Sequence, residues 1–488
     1  MKKRILATLL VMTMVVGLLS VAGCGSKKTK INIVRALFNL EAVDEGQVKK
    51  VEDEINKYLN EKGMDFEVSI REIMSGEYVE KAGNAVANKE VNLLWTASWE
   101  EGKIKTSALV ANGMVKDISS LLPGTALYNS MDAGQWEATK FDGKNYFVPV
   151  YKDNVEGYDL MYRKEVVDKL GIDVTKVSKL QDLEPVLAQF KAEGLKYPFL
   201  LQKGAMFWRF YIDKFDFFTG EAESNFVAVD RASDSVVFTL DTPEYKEFAD
   251  LIADWRDKGY VHEDEYTKVV TDQTTQSKDW GVSWWTDTPN NAEANNRYGQ
   301  DVVINPLTQR WAHSNSALGS CYCITANTND KQAKQCIEFL GLLYTDKKLA
   351  DLYTYGIQGE DWSTDENGQV VKSGKKYNHS MWESVSALVI TPEAGSPADF
   401  AGAYKQFNGT AQTSCAAGFR FDESAVSAEY TACKALHAEY GFLLETGGVA
   451  KADVDAKIAE YKSALQAAGV QKVIDEFTKQ YNDFKSKK

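Results

Sequence analysis

Strand-like and helix-like patterns alternate through the first part of the chain. The segment 31–37 is apolar and β-branched, and apolar residues alternate with polar ones over 66–70. Between them, apolar residues recur every three or four positions over 48–59, as on one face of a helix, and 91–95 is again strand-like. Strands that alternate with helices pair in parallel through right-handed crossovers. This part of the chain therefore predicts an α/β fold.

The same alternation returns after residue 150. Helical stripes cover 183–190 and 248–255, strand-like segments cover 280–285 and 302–307, and 456–484 is a long amphipathic stretch. At about 150 residues per domain, the 488-residue length suits two or three domains. The prediction is two α/β lobes followed by additional C-terminal helices.

The N-terminus has the pattern of an export signal. Lys2–Arg4 is basic, and the apolar run Ile5–Leu19 is too short for a comfortable membrane span. The following residues, Val21–Cys24, resemble the lipobox of bacterial lipoproteins. That resemblance implies that residues 1–23 are removed as a signal peptide and that Cys24 is acylated.

The predicted anchor places the protein at the outer face of the bacterial cytoplasmic membrane. Residues 24–30 then form a short polar tether between the acylated Cys24 and the folded body. The alternative is an ordinary signal cleaved after Gly23, which leaves the protein without a lipid anchor.

Net charge and motif content exclude several functions. Seventy acidic residues against 56 basic ones give a net charge of −14, which disfavours nucleic-acid binding and electrostatic attachment to anionic lipid. The sequence lacks a phosphate-binding glycine loop, a nucleophile elbow and a zinc-helix motif. Cys321 and Cys323 have no second pair to complete a metal site, so buried thiols are predicted, with no metal and no cofactor. The spacing leaves open whether Cys415 and Cys433 form a disulfide.

Acidic clusters keep an enzymatic alternative open. They occur at 100–101, 262–265 and 360–361. A glycosidase needs two carboxylates that face each other across a cleft, which proximity in sequence does not establish. Solvated loops are the favoured interpretation of all three clusters.

Tryptophans stand where two strand-like segments end. Trp95, Ser98 and Trp99 close one segment, and Trp284 and Trp285 close another. Ligands of open α/β sheets bind beyond the carboxyl ends of the strands, and a pyranose ring stacks on flat aromatic side chains. Neighbouring residues of a strand point to opposite faces, so only one of Trp284 and Trp285 can contact a ligand from a regular strand.

Other candidate contacts follow from position. They are Trp208 and Arg209 after the strand-like segment 199–202, Asp153, Asn154 and Glu156 just after residue 150, and Trp382 as a lid. This many tryptophans suit an oligosaccharide better than a single hexose.

Motifs spread over the mature chain identify a family resemblance. The chain resembles the extracellular solute-binding lipoproteins of bacterial carbohydrate ABC importers, in the long subgroup with an uncharacterised C-terminal domain. The matching motifs lie at 142–149, 162–172, 337–340, 344–346, 355–360, 418–422 and 467–473.

The resemblance implies a type II clamp, the periplasmic-binding-protein-like fold with three hinge crossings. The crossings are expected near Pro149–Asn154, Asn305–Leu307 and Tyr353–Gly359. The first lobe then comprises residues 31–150 and 305–353, and the second comprises 151–304 and 354–488. The resemblance also places Tyr355, Gln358, Glu360 and Trp362 around the third crossing as ligand contacts. The subgroup usually has Glu at the position of Gln358 and a basic residue at that of Glu360, so ligand identity stays open.

The predicted function is that of a monomeric substrate-binding protein. It captures a carbohydrate, an oligosaccharide rather than a monosaccharide, and delivers it to the membrane permease subunits of an ABC importer without covalent chemistry. The alternatives are a binding protein for a non-sugar solute such as a peptide and a secreted glycan-active enzyme.

Overall fold

The computed structural model describes residues 28–217, 225–267, 277–292, 294–295, 299–313, 315–373 and 376–487. The predicted signal peptide and Cys24 lie outside the described residues. None of the helices in the described ranges is both long and apolar enough to cross a membrane.

Two main sheets and a small hinge ribbon organise the molecule. Their strands, in chain order, are β1 (Thr29–Leu37), β2 (Phe66–Met74), β3 (Leu93–Thr96), β4 (Phe147–Pro149), β5 (Tyr158–Arg163), β6 (Tyr197–Leu200), β7 (Trp280–Thr286), β8 (Val302–Pro306), β9 (Trp311–Ala312), β10 (Cys321–Ile324) and β11 (Gln412–Thr413). Shorter strands are Lys140–Phe141, Lys144–Asn145, Phe215–Asp216, Val227–Asp230, Ser235–Phe238, Trp362–Thr364 and Val370–Lys372.

Helices cover both sheets. The labelled helices, of which only α5 is a single turn, are α1 (Glu45–Glu61), α2 (Ser75–Ala87), α3 (Lys164–Leu170), α4 (Glu184–Ala192), α5 (Phe207–Phe210), α6 (Pro243–Asp257), α7 (Asp330–Thr345), α8 (Lys347–Tyr355), α9 (Phe400–Gly409), α10 (Ser427–Leu436), α11 (Val454–Ala467) and α12 (Val470–Ser486). Single turns also occur at Thr106–Ala111, Ala126–Asn129, Ala133–Ala138, Met381–Ser384 and Phe442–Glu445.

The first lobe is built on the sheet β2-β1-β3-β10-β4. β1 runs parallel to β2 and β3, while β10 runs antiparallel to β3 and β4. Asp44 caps α1 by accepting a hydrogen bond from the Gln47 backbone N–H at 2.9 Å. The apolar stripe of α1 is buried in the core of this lobe, as the sequence period predicts.

The second lobe is built on the sheet β8-β5-β7-β6. β7 is parallel to β6 and antiparallel to β5, and β8 is antiparallel to β5. The C-terminal helices pack on this lobe, where Phe419 meets Phe477 at 5.3 Å and Tyr481 at 5.1 Å between ring centroids. The described cysteines form no disulfide, and this includes Cys415 and Cys433.

Three chain segments connect the lobes and pair with one another. Glu156 on the first segment exchanges backbone hydrogen bonds of 2.9 and 2.8 Å with Trp311 on the second. On the third segment, β11 runs parallel to β9. These pairs form a short hinge ribbon to which each crossing contributes.

The third crossing lies further along the chain than the sequence suggests. Tyr355, Trp362, Tyr377 and Tyr404 are all buried in the core of the first lobe, so residues 354–404 belong there and not to the second lobe. Sequence pattern missed this because the segment forms only small strands and turns. The segment covers the buried Arg35–Glu72 ion pair of the first sheet. His379 contacts Glu72 at 2.9 Å, and the Tyr377 ring centroid lies 5.5 Å from the Arg35 guanidinium carbon. The chain crosses only after α9.

Candidate ligand-binding site

An aromatic cluster stands at the carboxyl ends of β1 and β3. Phe38, Trp95, Trp99 and Trp382 form it, and their ring centroids lie 5.1–6.3 Å apart. Trp95 is 1% exposed, whereas Trp99 is 38% exposed. Trp95 is therefore core packing, contrary to its assignment as a ligand contact, and Trp99 presents its ring to solvent. We call Phe38, Trp99 and Trp382 the aromatic platform.

Hydrogen bonds to the second crossing orient the platform. The Trp99 indole N–H donates to the Gly319 carbonyl at 2.7 Å, and the Ser98 hydroxyl donates to the Asn315 carbonyl at 3.0 Å. Ser98 is buried, so it anchors the end of the strand instead of offering its hydroxyl to a ligand. Because its N–H is occupied, the Trp99 ring is held in one orientation before any ligand arrives.

A guanidinium between two indoles occupies the matching edge of the second lobe. The Arg209 guanidinium carbon lies 4.0 Å from the Trp284 ring centroid and 4.6 Å from that of Trp208, and Tyr158 packs edge-on against Trp208 at 5.2 Å. Among the described residues, no carboxylate lies within ion-pair distance of Arg209. Burial lowers the pKa of Arg209, although Tyr158 and Glu156 act in the opposite direction. We call Trp208, Arg209 and Trp284 the arginine cluster.

The structure distinguishes the two adjacent tryptophans of β7. Trp284 packs beside Arg209, and its indole N–H donates to the Leu201 carbonyl at 3.1 Å. Trp285 packs on the opposite face against the small core around Met161 and Leu200. Trp284 is therefore the member of the pair that belongs to the candidate site.

Residues of the first crossing hold the hinge together. Asp153 pairs with Lys152 at 2.7 Å, and the Asn154 side-chain amide donates to Gln135 at 2.8 Å. The Asn154 backbone N–H also donates to the Asn408 side chain of the third segment at 2.9 Å. Through these contacts Asp153 and Asn154 connect the crossings, although the buried Asn154 Oδ1 has no hydrogen-bond partner among the described residues.

Four predicted contacts lie away from the cleft. Tyr355, Gln358, Glu360 and Trp362 are all placed on the first lobe. The Trp362 N–H donates to the Gly356 carbonyl at 3.0 Å, the Tyr355 hydroxyl donates to the Thr391 carbonyl at 2.9 Å, and Glu360 pairs with Lys50 of α1 at 2.7 Å. A groove of about 490 Å³ beside Gln358 and Trp362 is lined by α1, α8 and the turn after α8, with no contribution from the second lobe. These residues were misplaced because the third crossing was set too early.

Arg420 joins the lobes, although the sequence analysis did not single it out. It follows the second-lobe core residue Phe419, yet it donates to the first-lobe carbonyls of Ala138 at 3.2 Å and Lys140 at 3.3 Å. Its guanidinium carbon lies 4.0 Å from the Phe141 ring centroid. Arg420 lies in the motif at 418–422, but the sequence of that motif does not indicate that the partners of Arg420 lie on the other lobe.

A buried carboxylate pair does not form an open catalytic cleft. Asp159 and Asp287 lie in the second lobe, 2% and 4% exposed, and Arg310 binds Asp287 at 2.5 Å. Burial and the neighbouring Asp287 raise the pKa of Asp159 to about 8. A glycosidase needs room for a sugar between its two carboxylates. This pair lies on one lobe and is covered by protein.

Comparison with known proteins decides the family. Residues 54–360 match the model for bacterial extracellular solute-binding proteins, and residues 415–486 match a domain of unknown function, DUF3502. The chain belongs to the bacterial extracellular solute-binding protein family. The resemblance stated from the motifs is thereby confirmed.

Relatives of this solute-binding protein are known in Streptococcus pneumoniae. A carbohydrate ABC transporter substrate-binding protein from serotype 4, strain ATCC BAA-334 / TIGR4, is 26% identical over an alignment of 392 positions that covers 77% of each chain. The crystal structure of the N-glycan transport solute binding protein NgtS has a TM-score of 0.80 at 23% identity, covering 94% of this chain and 100% of that one. The substrate-binding protein FusA in complex with kestose has a TM-score of 0.61 at 14% identity, over 94% and 100%. These matches confirm the predicted fold class, an α/β type II clamp.

The hinge of this solute-binding protein contains a buried ion pair that predicts a pH dependence. The His313 imidazole of the second crossing contacts the Glu156 carboxylate of the first, with Asp216 and Arg231 nearby. Burial alone would lower the pKa of His313, but Glu156 and Asp216 together outweigh burial and raise that pKa above 6.5. A raised histidine pKa adds stability that is complete below pH 6.5 and is lost as the pH rises through the native value.

We therefore expect the free energy of unfolding of the wild type to fall as the pH rises above 6.5, and to fall less in His313→Asn. Urea unfolding at a series of pH values measures this slope. His262→Asn is the control, because His262 pairs with Asp264 at 2.7 Å on the surface, where the pair contributes little. Equal slopes in the wild type and His313→Asn would contradict the assignment.

Proposed function

We propose that this solute-binding protein captures an oligosaccharide between its lobes and delivers it to the permease subunits of an ABC importer. The observation that carries the proposal is that the aromatic platform lies on the first lobe and the arginine cluster on the second, with the second crossing in contact with both. The second crossing contacts both edges, through Gly319 at the platform and through His313 beside Glu156 and Tyr158 at the arginine cluster. A ligand seated between them contacts both lobes.

The chemistry of the two edges suits a sugar chain. Indole faces stack on the apolar C–H faces of pyranose rings, and a guanidinium donates several hydrogen bonds to hydroxyl or carboxylate oxygens. Sites on two lobes accommodate more than one sugar unit, which favours an oligosaccharide. Two structural neighbours fit this assignment by name: NgtS was crystallised with Man1GlcNAc and Man5GlcNAc, and FusA with kestose.

Closure on the ligand requires no covalent step. A ligand that contacts both lobes binds the closed form better, so it shifts the population of the clamp toward closure. The closed clamp then docks on the permease. Acylation of Cys24 keeps the protein at the outer face of the membrane, close to that partner. The predicted tether is shorter than 24–30, because Thr29 and Lys30 already belong to β1.

A thermal-shift screen of the monomeric chain starting at Gly25 tests the function. The panel contains mannose- and N-acetylglucosamine-based oligosaccharides, kestose, the corresponding monosaccharides and short peptides. A ligand at 100 times its Kd adds about 2.7 kcal/mol of stability. We expect a selective shift with an oligosaccharide, a smaller radius of gyration by small-angle scattering, and recovery of the sugar unchanged. A shift with peptides only, or hydrolysis of the sugar, would favour one of the alternative functions.

A further inference from the structure

Glu445 is a fully buried carboxylate in the C-terminal domain of unknown function. One of its oxygens accepts the backbone N–H groups of Met206 at 2.6 Å and Phe207 at 2.9 Å. The other accepts the Tyr245 hydroxyl at 3.3 Å. The carboxylate therefore reaches out of its own domain and binds the backbone of the second lobe just before Trp208 and Arg209.

The two N–H groups that Glu445 binds stand at the start of α5. Met206 and Phe207 are buried, and the first N–H groups of a helix have no partner within the helix. A buried N–H without an acceptor destabilises its local conformation, and a carboxylate is the strongest acceptor available for it. Glu445 thus sets the backbone from which Trp208 and Arg209 project.

Burying this carboxylate is unfavourable in itself. Burial raises the pKa of Glu445 to about 7, although the hydrogen bonds from Phe207, Met206 and Tyr245 and the charge of Arg209 act in the opposite direction. His437 also faces it, at 3.9 Å. A buried carboxylate is tolerated only where hydrogen bonds compensate for its lost hydration. For Glu445 these bonds include the two from the backbone N–H groups of residues 206–207.

We propose that the C-terminal domain positions the arginine cluster, with Glu445 as the positioning residue. The domain packs on the second lobe, and its Glu445 carboxylate accepts hydrogen bonds from the segment that carries Trp208 and Arg209. The ligand part of this inference rests on the proposed function, whereas the anchoring of residues 206–210 does not.

Hydrogen exchange and ligand affinity together test the proposal. In Glu445→Ala we expect exchange protection of the Met206 and Phe207 amides to fall at least tenfold, and affinity for the oligosaccharide found by the screen to fall about tenfold. Glu445→Gln keeps an acceptor oxygen and should retain most of both. Cys433→Ala is the control, because Cys433 is fully buried in the same domain but, within the described part of the chain, makes no hydrogen bond to residues 206–210. Cys433→Ala should lower the melting temperature. It should not change the exchange protection of residues 206–207 or the ligand affinity beyond what this loss of overall stability explains.

Trp208→Ala separates the two possible failures. If Glu445→Ala leaves protection at 206–207 unchanged, or lowers it only as much as Cys433→Ala does, the positioning role is overturned. If protection falls and affinity does not, while Trp208→Ala weakens binding, the role in ligand binding is overturned. If Trp208→Ala also leaves binding unchanged, the proposed location of the ligand is wrong, and the exchange result alone decides the anchoring.

Discussion

Replacing Arg35 by methionine should lower the free energy of unfolding of this solute-binding protein by about 3–5 kcal/mol, the usual penalty for removing one partner of a buried ion pair. Arg35 lies near the C-terminal end of β1, and its guanidinium binds the Glu72 carboxylate of β2 at 2.6 Å with side-chain exposures of 1% and 2%. Arg35 also donates to the Tyr353 carbonyl at 3.0 Å and stacks on the Tyr353 ring at 4.0 Å. Methionine fills much of the volume but leaves Glu72 without one of its two cationic partners, since only His379 remains.

The pKa of Glu72 reports the strength of this network. Burial would raise that pKa, but the charges of His379 and Arg35 outweigh burial and lower it to about 2 from an ordinary 4.5. A lowered carboxyl pKa contributes stability that is complete above pH 4.5 and is lost as the pH falls toward 2. The penalty in the variant should therefore be largest near neutral pH and shrink in acid.

Arg71→Met is the matched control for this prediction. Arg71 is the neighbour of Glu72 on β2, but it is half exposed, and its pair with Glu90 spans 3.5 Å. Exposed pairs of this kind contribute about 0–1 kcal/mol. Urea unfolding of the wild type and both variants at pH 7 and pH 4 measures the difference. Similar losses in Arg35→Met and Arg71→Met would show that the buried network does not stabilise the first lobe.

Replacing Trp99 by alanine should weaken oligosaccharide binding about 30-fold or more. Truncating a tryptophan at the centre of an interface typically removes 2 kcal/mol or more, roughly a 30-fold change in Kd. The Trp99 ring is exposed and already oriented by its hydrogen bond to Gly319, so its loss should affect affinity more than stability. Isothermal titration with the oligosaccharide from the screen measures the Kd, and thermal unfolding measures the stability.

Trp362→Ala provides the control within the same lobe. The sequence predicts Trp362 at the third crossing, but its ring packs on Tyr355 at 6.0 Å between ring centroids. It lies beside the groove lined by α1, α8 and the turn after α8, which we call the outer groove. We expect this variant to lower the melting temperature while the Kd stays within twofold of the wild type. If Trp362→Ala weakens binding as much as Trp99→Ala does, the ligand occupies the outer groove and the site proposed between the lobes is wrong.

Sequence pattern predicted the regular elements well because each has its own period. The stripe over 48–59 and the alternation over 66–70 became α1 and β2. Both patterns record which face of an element is buried, and that information is local. The segment 354–404 has no comparable period, because its small strands and turns are held by contacts with the first sheet. Its assignment to the wrong lobe followed from that lack.

Side-chain roles at the site depended on contacts that are distant in sequence. Trp95 and Trp99 are four residues apart and chemically identical, yet one is buried beneath the other. Arg420 and Glu445 act on carbonyl and N–H groups hundreds of residues away in the chain. Composition and spacing do not show which residues that are far apart in the chain come into contact.

The amino-acid pattern by itself therefore determined the two α/β lobes, the C-terminal helices and the strand ends at which the aromatic residues gather. Tertiary structure alone decided which tryptophans are buried and which are exposed, where the chain crosses for the third time and how the C-terminal domain reaches the second lobe. The physical reason is that burial periodicity is a property of a single element. Three features arise only when separate elements pack together. They are the pairing of strands at the hinge, the exposure of Trp99 over the buried Trp95, and the hydrogen bonds of Glu445 to the start of α5.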